Sequence, residues 1–130
     1  MLNQLKDEII KNFGTPCAVV DLDIVERNID QAQARCDNAG VINRPHIKTH
    51  KSPFLAKMQI AAGAQGITCQ KLGEARVMAD AGITDIIIAT NLLGAAKCGQ
   101  LASLQKQIAL KVCADNPVSL AAYSLSLIHI

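Results

Sequence analysis

Two histidines and a lysine alternate within Arg44 to Pro53, RPHIKTHKSP, the one stretch of this sequence where reactive side chains converge. In an extended segment the period of two puts His46, Lys48 and His50 on one face and Ile47 and Thr49 on the other. Extension is favoured because Pro45 biases Arg44, and Pro53 biases Ser52, away from helical geometry. That choice decides the chemistry. On a helix His46 and His50 would lie one turn apart and could share a zinc ion. On a strand rising about 3.3 Å per residue they lie about 13 Å apart, too far for one metal to bridge. What remains is a lysine between two imidazoles. As a free amine, lysine condenses with a carbonyl to form a Schiff base. Desolvation and neighbouring positive charge favour the free amine, and His46 and His50, if protonated, and nearby Lys51 would push in that direction. The plain alternative is a basic strand end that merely meets solvent.

The elements that must position this segment follow from punctuation and periodicity. Leu2 to Phe13 reads as a short amphipathic helix closed by Gly14. Cys17 to Val20 is an apolar run of strand type. Asp21 and Asp23 both offer a cap for a helix reaching about Cys36, Asp23 with Glu26 having capping-box spacing. Gly40 ends it, and Val41-Ile42 leads into the reactive segment. Ser52-Pro53 opens the next helix, whose Phe54, Leu55, Met58, Ala61 and Ala62 recur at helical spacing before Gly63. Gly66 to Cys69 is a short strand. Leu72 to Ala81 is a helix burying Leu72, Ala75, Val77, Met78 and Ala81. Asp85 to Ala89, DIIIA, carries β-branched residues on both faces, as in a parallel sheet covered on both sides. A weaker helix from about Gly94 to Leu104, a strand over Ala109 to Cys113 and a helix opening at Asn116-Pro117 complete the order.

The strand centres recur with a near-constant pitch, 20 residues from Ile47 to Ile67, 20 from Ile67 to Ile87 and 24 from Ile87 to Lys111. One strand, one helix and two short loops fill that length. Its regularity favours a (β/α)8 TIM barrel over an open doubly wound sheet. The fold class expected is therefore α/β, a partial barrel with about four βα units. A complete barrel takes roughly 250 residues, so an amino-terminal fragment is expected, with its carboxyl half missing. In such a barrel Lys48 stands at the carboxyl end of an early strand, the rim on which active sites are built. Gln70, Thr90-Asn91 and Asp115 follow the next three strands and reach the same rim. Each is a pocket polar group or, equally, a loop or helix-cap residue.

Composition narrows the classes. Of 130 residues half are hydrophobic and 18% charged, at a net charge of +2, which describes one globular unit without a polyanion partner. With two Phe, one Tyr and no Trp, there is no stacking surface for single-stranded nucleic acid. Five dispersed cysteines without a C-x-x-C pair fit neither a disulfide framework nor a zinc module. They read as small hydrophobes in a reducing compartment, so a cytoplasmic location is expected. No G-x-G-x-x-G or P-loop pattern supports a nucleotide, and no segment approaches the length of a membrane span.

TPCAVVDLDIVERNI, RPHIKTHKSP and QIAAGAQGITCQKLGEARVMADAGITDIIIATNLLG together resemble the D-threonine aldolase and D-serine dehydratase group of pyridoxal phosphate enzymes. That group shares the fold type III barrel of alanine racemase. PHxKTHK and GITCQKLGEA carry the likeness most specifically, and it covers about Thr15 to Tyr123. It implies a pyridoxal 5'-phosphate cofactor anchored as a Schiff base on Lys48, the first lysine of KTHK, with Lys51 a neighbouring charge. His46, His50, Gln70, Thr90 and Asn91 are the cofactor-pocket candidates; no metal ligand is assigned in this chain. The resemblance further implies a lyase acting on small β-hydroxy-D-amino acids and a homodimeric parent. A divalent metal is expected in a missing carboxyl-terminal β-domain. Aldol cleavage, D-threonine to glycine and acetaldehyde, is favoured over dehydration of D-serine. A non-catalytic pyridoxal phosphate carrier and an unrelated phosphate-binding barrel are the other readings.

On this account residues 1–14 form a leading helix and 15–123 the incomplete barrel domain. Residues 124–130, containing LSLIHI, resemble the translation of a sequencing-library adapter, which would leave His129 no role; an ordinary apolar helix end is the alternative.

Overall fold

Glycine and proline punctuate the folded chain much as they punctuate the sequence. The computed structural model describes residues 2–127. Helix α1 (Leu2–Phe13) gives way to Gly14, at φ +73. Helix α2 (Leu22–Asn38) is capped by the Asp21 carboxylate, which accepts from the Ile24 N–H. In α3 (Pro53–Ala61) the Ser52 hydroxyl caps the Leu55 N–H, and proline occupies the first turn, where a missing N–H costs nothing. Strand β1 (Ile67–Cys69), helix α4 (Leu72–Asp80), strand β2 (Asp85–Ile88), helix α5 (Ala95–Gln105), strand β3 (Ala109–Val112) and helix α6 (Pro117–Leu127) follow in strict alternation. His129 lies outside the described residues.

The three strands form a parallel sheet in the order β1-β2-β3, with Ile67 opposite Ile86 and Asp85 opposite Ala109. A fourth segment joins beside β1 through a parallel bridge between His46 and Thr68. Ile47 N–H donates to Thr68 O, and Thr68 N–H to Pro45 O. Sequential parallel strands joined by helices are the arc of an α/β barrel. Ile47, Ile67, Ile86, Ile88, Leu101 and Leu104 are all fully buried in the core between sheet and helices. Ile86 and Ile88 face that core while Asp85 and Ile87 face the other side of the sheet, half-buried.

A charged cluster holds the amino ends of the strands together. The Arg44 guanidinium grips both Asp85 oxygens at 2.9 Å, and Lys111 Nζ adds a third contact at 2.7 Å. Chiefly the Arg44 hydrogen bonds, and then Lys111, outweigh partial burial and hold the Asp85 carboxyl at about 2. Gly66 is obligatory beside this cluster, because a Cβ there would run into the Arg44 guanidinium and the Asp85 carbonyl.

Three expectations are corrected. Cys17 to Val20 forms no strand; Val19 and Val20 are exposed, and among the described residues no neighbouring strand pairs with their backbone. In α3 the fully buried residue is Ala56; Leu55, Met58 and Ala62 of the apolar stripe are half-buried, while Phe54, 59% exposed, and Ala61 face outward. In α4, Leu72, Ala75 and Met78 are buried as expected but Val77 is exposed.

Candidate active site at the carboxyl rim

The reactive segment is extended only as far as its bridge. Arg44 to Ile47 runs beside β1, and the chain then turns over residues 47–50. The Lys51 N–H closes one helical turn on Ile47 O at 2.8 Å, and Lys51 itself adopts φ 50, the left-handed conformation that ends such turns. The prolines fix only their own neighbours: Ser52 is indeed extended, at φ -102 and ψ 119. Burial of Ile47 ends the strand, and α3 must begin within five residues, so the intervening chain coils. His46, Lys48 and His50 therefore do not share one strand face. The 13 Å separation that argued against a shared metal lapses with it. Among the described residues no group of three or more His, Cys, Asp or Glu is placed to hold a metal ion.

The two histidines take different roles. His46 Nδ1 accepts the Lys48 N–H at 3.3 Å. In the neutral ring the proton then resides on Nε2, which donates to Gln70 Oε1 at 3.2 Å. Both ring nitrogens are engaged, and His46 ties the start of the lysine turn to the loop after β1. His50 Nδ1 accepts the Ser52 N–H at 3.1 Å, holding the other end of the turn. Its Nε2 is buried without a hydrogen-bond partner, as is Gln59 Oε1, and both line a cleft of about 320 Å³ between α2 and α3. Burial lowers the His50 pKa, partly offset by the Gln59 amide nearby. His50 thus faces away from the other site candidates.

Those candidates converge around one cavity. Gln70, Thr90 and Asn91 line a hollow of about 430 Å³ beside the first turns of α4 and α5. The Thr90 hydroxyl donates to Gln70 O at 2.7 Å. The Asn91 amide donates to Asp115 Oδ1 at 2.5 Å, and the Asp115 N–H returns to Asn91 Oδ1 at 3.3 Å, locking two strand ends together. Hydrogen bonds from Asn116 and then Asn91 keep the Asp115 carboxyl below its ordinary range. Lys48 is not among the residues lining this hollow. Its side chain is exposed and, among the described residues, takes part in no hydrogen bond or ion pair. An amine on the carboxyl rim, whose turn is tied through His46 to Gln70 in the lining of a hollow of amide, hydroxyl and lysine groups, suits an aldehyde cofactor carrying an anionic tail.

Two contributors escaped the sequence reading. Glu74 Oε2 accepts the N–H groups of Gln70 and Lys71 at 2.9 and 3.2 Å. This is half of a capping box, which a lysine ammonium without a lone pair cannot complete. Burial alone would raise the Glu74 carboxyl, but those two N–H bonds and the Lys51 charge together carry it below its ordinary value. Tyr123, buried in α6, accepts the Leu92 N–H through its hydroxyl at 2.5 Å and so pins the loop bearing Thr90 and Asn91. Cys69, fully buried just before Gln70, has its thiol pushed up to about 12 by burial and then by the Glu74 charge, so it is an inert packing group. A glutamate three residues into a helix is a signal the sequence offered for Glu74; nothing local marks Tyr123.

Comparison with known proteins places this arrangement. The family model described as alanine racemase, N-terminal domain, matches residues 20–126. A D-threonine aldolase of Arthrobacter sp. is 41% identical over 120 residues, 92% of this chain and 32% of the relative. A D-threo-3-hydroxyaspartate dehydratase of Delftia sp. (strain HT23) is 51% identical over 85 residues, 65% of this chain and 22% of the relative. The crystal structure of D-threonine aldolase from Filomicrobium marinum superposes with a TM-score of 0.86 at 38% identity, covering 88% of this chain and 31% of that one. The chain spans about a third or less of the length of these relatives.

Proposed function

The chain belongs to the alanine racemase N-terminal domain family, and on that footing we propose that it is the amino-terminal part of a pyridoxal phosphate-dependent lyase acting on β-hydroxy-D-amino acids. The observation that carries the proposal is the amine of Lys48, unpaired among the described residues and held on a hydrogen-bonded turn at the carboxyl rim of a parallel sheet. Names of relatives at both ends of the comparison support the substrate class, since each acts on a hydroxylated D-amino acid.

In this reading Lys48 Nζ holds the aldehyde carbon of the cofactor. Pyridoxal phosphate, when bound, supplies an electron sink for charge developing at the substrate Cα. The residues of this chain do the rest of what falls to them. His46, engaged at both ring nitrogens, orients the lysine turn. Gln70, Thr90 and Asn91 present amide and hydroxyl groups in a hollow where Lys71 and Lys97 favour an anion. His50, which faces the cleft between α2 and α3, would bear on the cofactor only indirectly, by accepting the Ser52 N–H and so holding the far end of the lysine turn. An aldolase breaks the Cα–Cβ bond of a D-threonine-like substrate to give glycine and an aldehyde. A dehydratase removes the Cα proton and the β-hydroxyl, giving a keto acid and ammonia.

We assign 1–14 to a leading helix, 15–123 to the barrel arc and 124–130 to an adapter-derived tail. A carboxyl-terminal β-domain would supply the divalent metal, and a cytoplasmic homodimer completes the proposal. The cysteines are all free, in keeping with a reducing compartment. Among the described residues no helix is long and apolar enough to cross a membrane.

The aldolase reading is supported by the long match to a D-threonine aldolase, the dehydratase reading by the higher identity of the shorter match. Supplying the intact protein with D-threonine and D-serine, and following acetaldehyde against keto acid, separates them. Aldehyde from D-threonine supports the aldolase, pyruvate from D-serine the dehydratase, and the absence of both products contradicts the lyase.

A further inference from the structure

A closed set of contacts surrounds the turn that carries Lys48. Its N–H donates to His46 Nδ1 at 3.3 Å, and the other ring nitrogen meets Gln70 Oε1 at 3.2 Å. The Gln70 N–H donates to Glu74 Oε2 at 2.9 Å, and the second Glu74 oxygen pairs with Lys51 Nζ at 3.6 Å. Lys51 N–H then returns to Ile47 O at 2.8 Å, inside the same turn. Glu74 therefore reaches the lysine turn from both sides: through Gln70 and His46 at its start, and through Lys51 at its close.

From this circuit we infer that Glu74 is a positioning residue for Lys48. It fixes the loop that bears Gln70, and through Gln70 and His46 the backbone of Lys48; it also withholds the ammonium of Lys51, the competing amine three residues on. The inference rests on Lys48 being the cofactor anchor proposed above.

Three physical points support the role. The Glu74 side chain is only 11% exposed, and its carboxylate meets two backbone N–H groups of the loop in place of water. A carboxylate accepting two backbone N–H bonds holds them about twice as strongly as a neutral acceptor would. Lys51, a non-glycine residue at φ 50, sits in a conformation that persists only where the surroundings determine it. The two arms of the circuit differ in strength. The Lys51 side chain is 61% exposed, so its ion pair contributes little and the Gln70 arm dominates.

The test compares the full chain with its Glu74→Ala and Glu74→Gln variants, each mixed with pyridoxal phosphate and reduced with borohydride. Peptide mapping gives the initial rate of labelling at Lys48 and the ratio of Lys48 to Lys51 adducts. Loss of the carboxylate in Glu74→Ala is expected to slow Lys48 labelling roughly tenfold. It should also raise the share of Lys51 about twofold. Glu74→Gln keeps an oxygen for the two N–H groups but cannot bind Lys51, so it restores most of the Lys48 rate while leaving the Lys51 share raised. A role confined to structure would move neither the ratio nor its partial rescue. If far-UV circular dichroism shows Glu74→Ala unfolded, Glu74→Gln decides by the ratio alone. Labelling of Lys48 in the unmodified chain with variants identical to it in rate and ratio overturns this inference. An unmodified chain that fails to label Lys48 overturns the cofactor reading instead.

Discussion

At the amino ends of the strands one carboxylate, Asp85, is gripped by Arg44 and Lys111; at the carboxyl ends the Lys48 amine stands unpaired above a chain of mostly neutral contacts. The first cluster spends its charges on one another and ties the reactive segment, β2 and β3 into one sheet. The second spends its hydrogen bonds on backbone groups and leaves one reactive atom free. Parallel strands make this division natural, because the loops that can vary all gather at one rim. The difference teaches where each kind of substitution should register: stability at the amino ends, chemistry at the carboxyl ends.

The largest effect on stability is expected from Asp85→Ala, which leaves the Arg44 guanidinium, 13% exposed, and Lys111 without a counter-charge. Loss of about 3 kcal/mol is expected for breaking such a pair, read as a lower urea midpoint. An unchanged midpoint would mean that the cluster is solvated and the comparison false.

Acid should reach the same cluster without mutation. The folded Asp85 pKa, about 2, lies below the ordinary aspartate value of 3.8, so the contribution of this carboxyl is complete above about pH 4 and lost as pH falls toward 2. Denaturation at a series of pH values should show that loss in the unmodified chain and not in Asp85→Asn. Parallel acid curves for the two would contradict the assignment.

A smaller change is expected at the other end. Tyr123→Phe removes the acceptor of the Leu92 N–H, a buried pair. The cost of the orphaned donor is about 1 kcal/mol, with faster hydrogen exchange at Leu92 as its signature. Protection at Leu92 equal to that of the unmodified chain would show that the hydroxyl does not hold the loop.

Much of this layout was legible from the sequence, for local reasons. Asp21 and Ser52-Pro53 start helices because their side chains satisfy N–H groups that no helix can satisfy for itself. Gly14, Gly40, Gly63 and Gly82 end helices at positive φ. DIIIA carries a strand because its β-branched residues favour extended backbone and the Ile86 and Ile88 face is buried in the core. The failures needed information from elsewhere in the chain. The turn at residues 47–51 follows from burying Ile47 against β1, which no proline signals. Cys17 to Val20 has strand chemistry but no strand beside it to pair with. Gln70, Thr90 and Asn91 were placed on the rim by counting strand ends, and they line one hollow because the register of β1 and β2 brings those ends level. Glu74 and Tyr123 act through partners that only the fold brings near.

The central claim is that Lys48, at the carboxyl rim, is the lysine that takes the cofactor. Equimolar pyridoxal phosphate, borohydride reduction and peptide mapping of the unmodified chain test it directly. The account predicts a single dominant adduct on Lys48. A dominant adduct on Lys51, on another of the lysines, or none above the scatter of surface lysines, would contradict it.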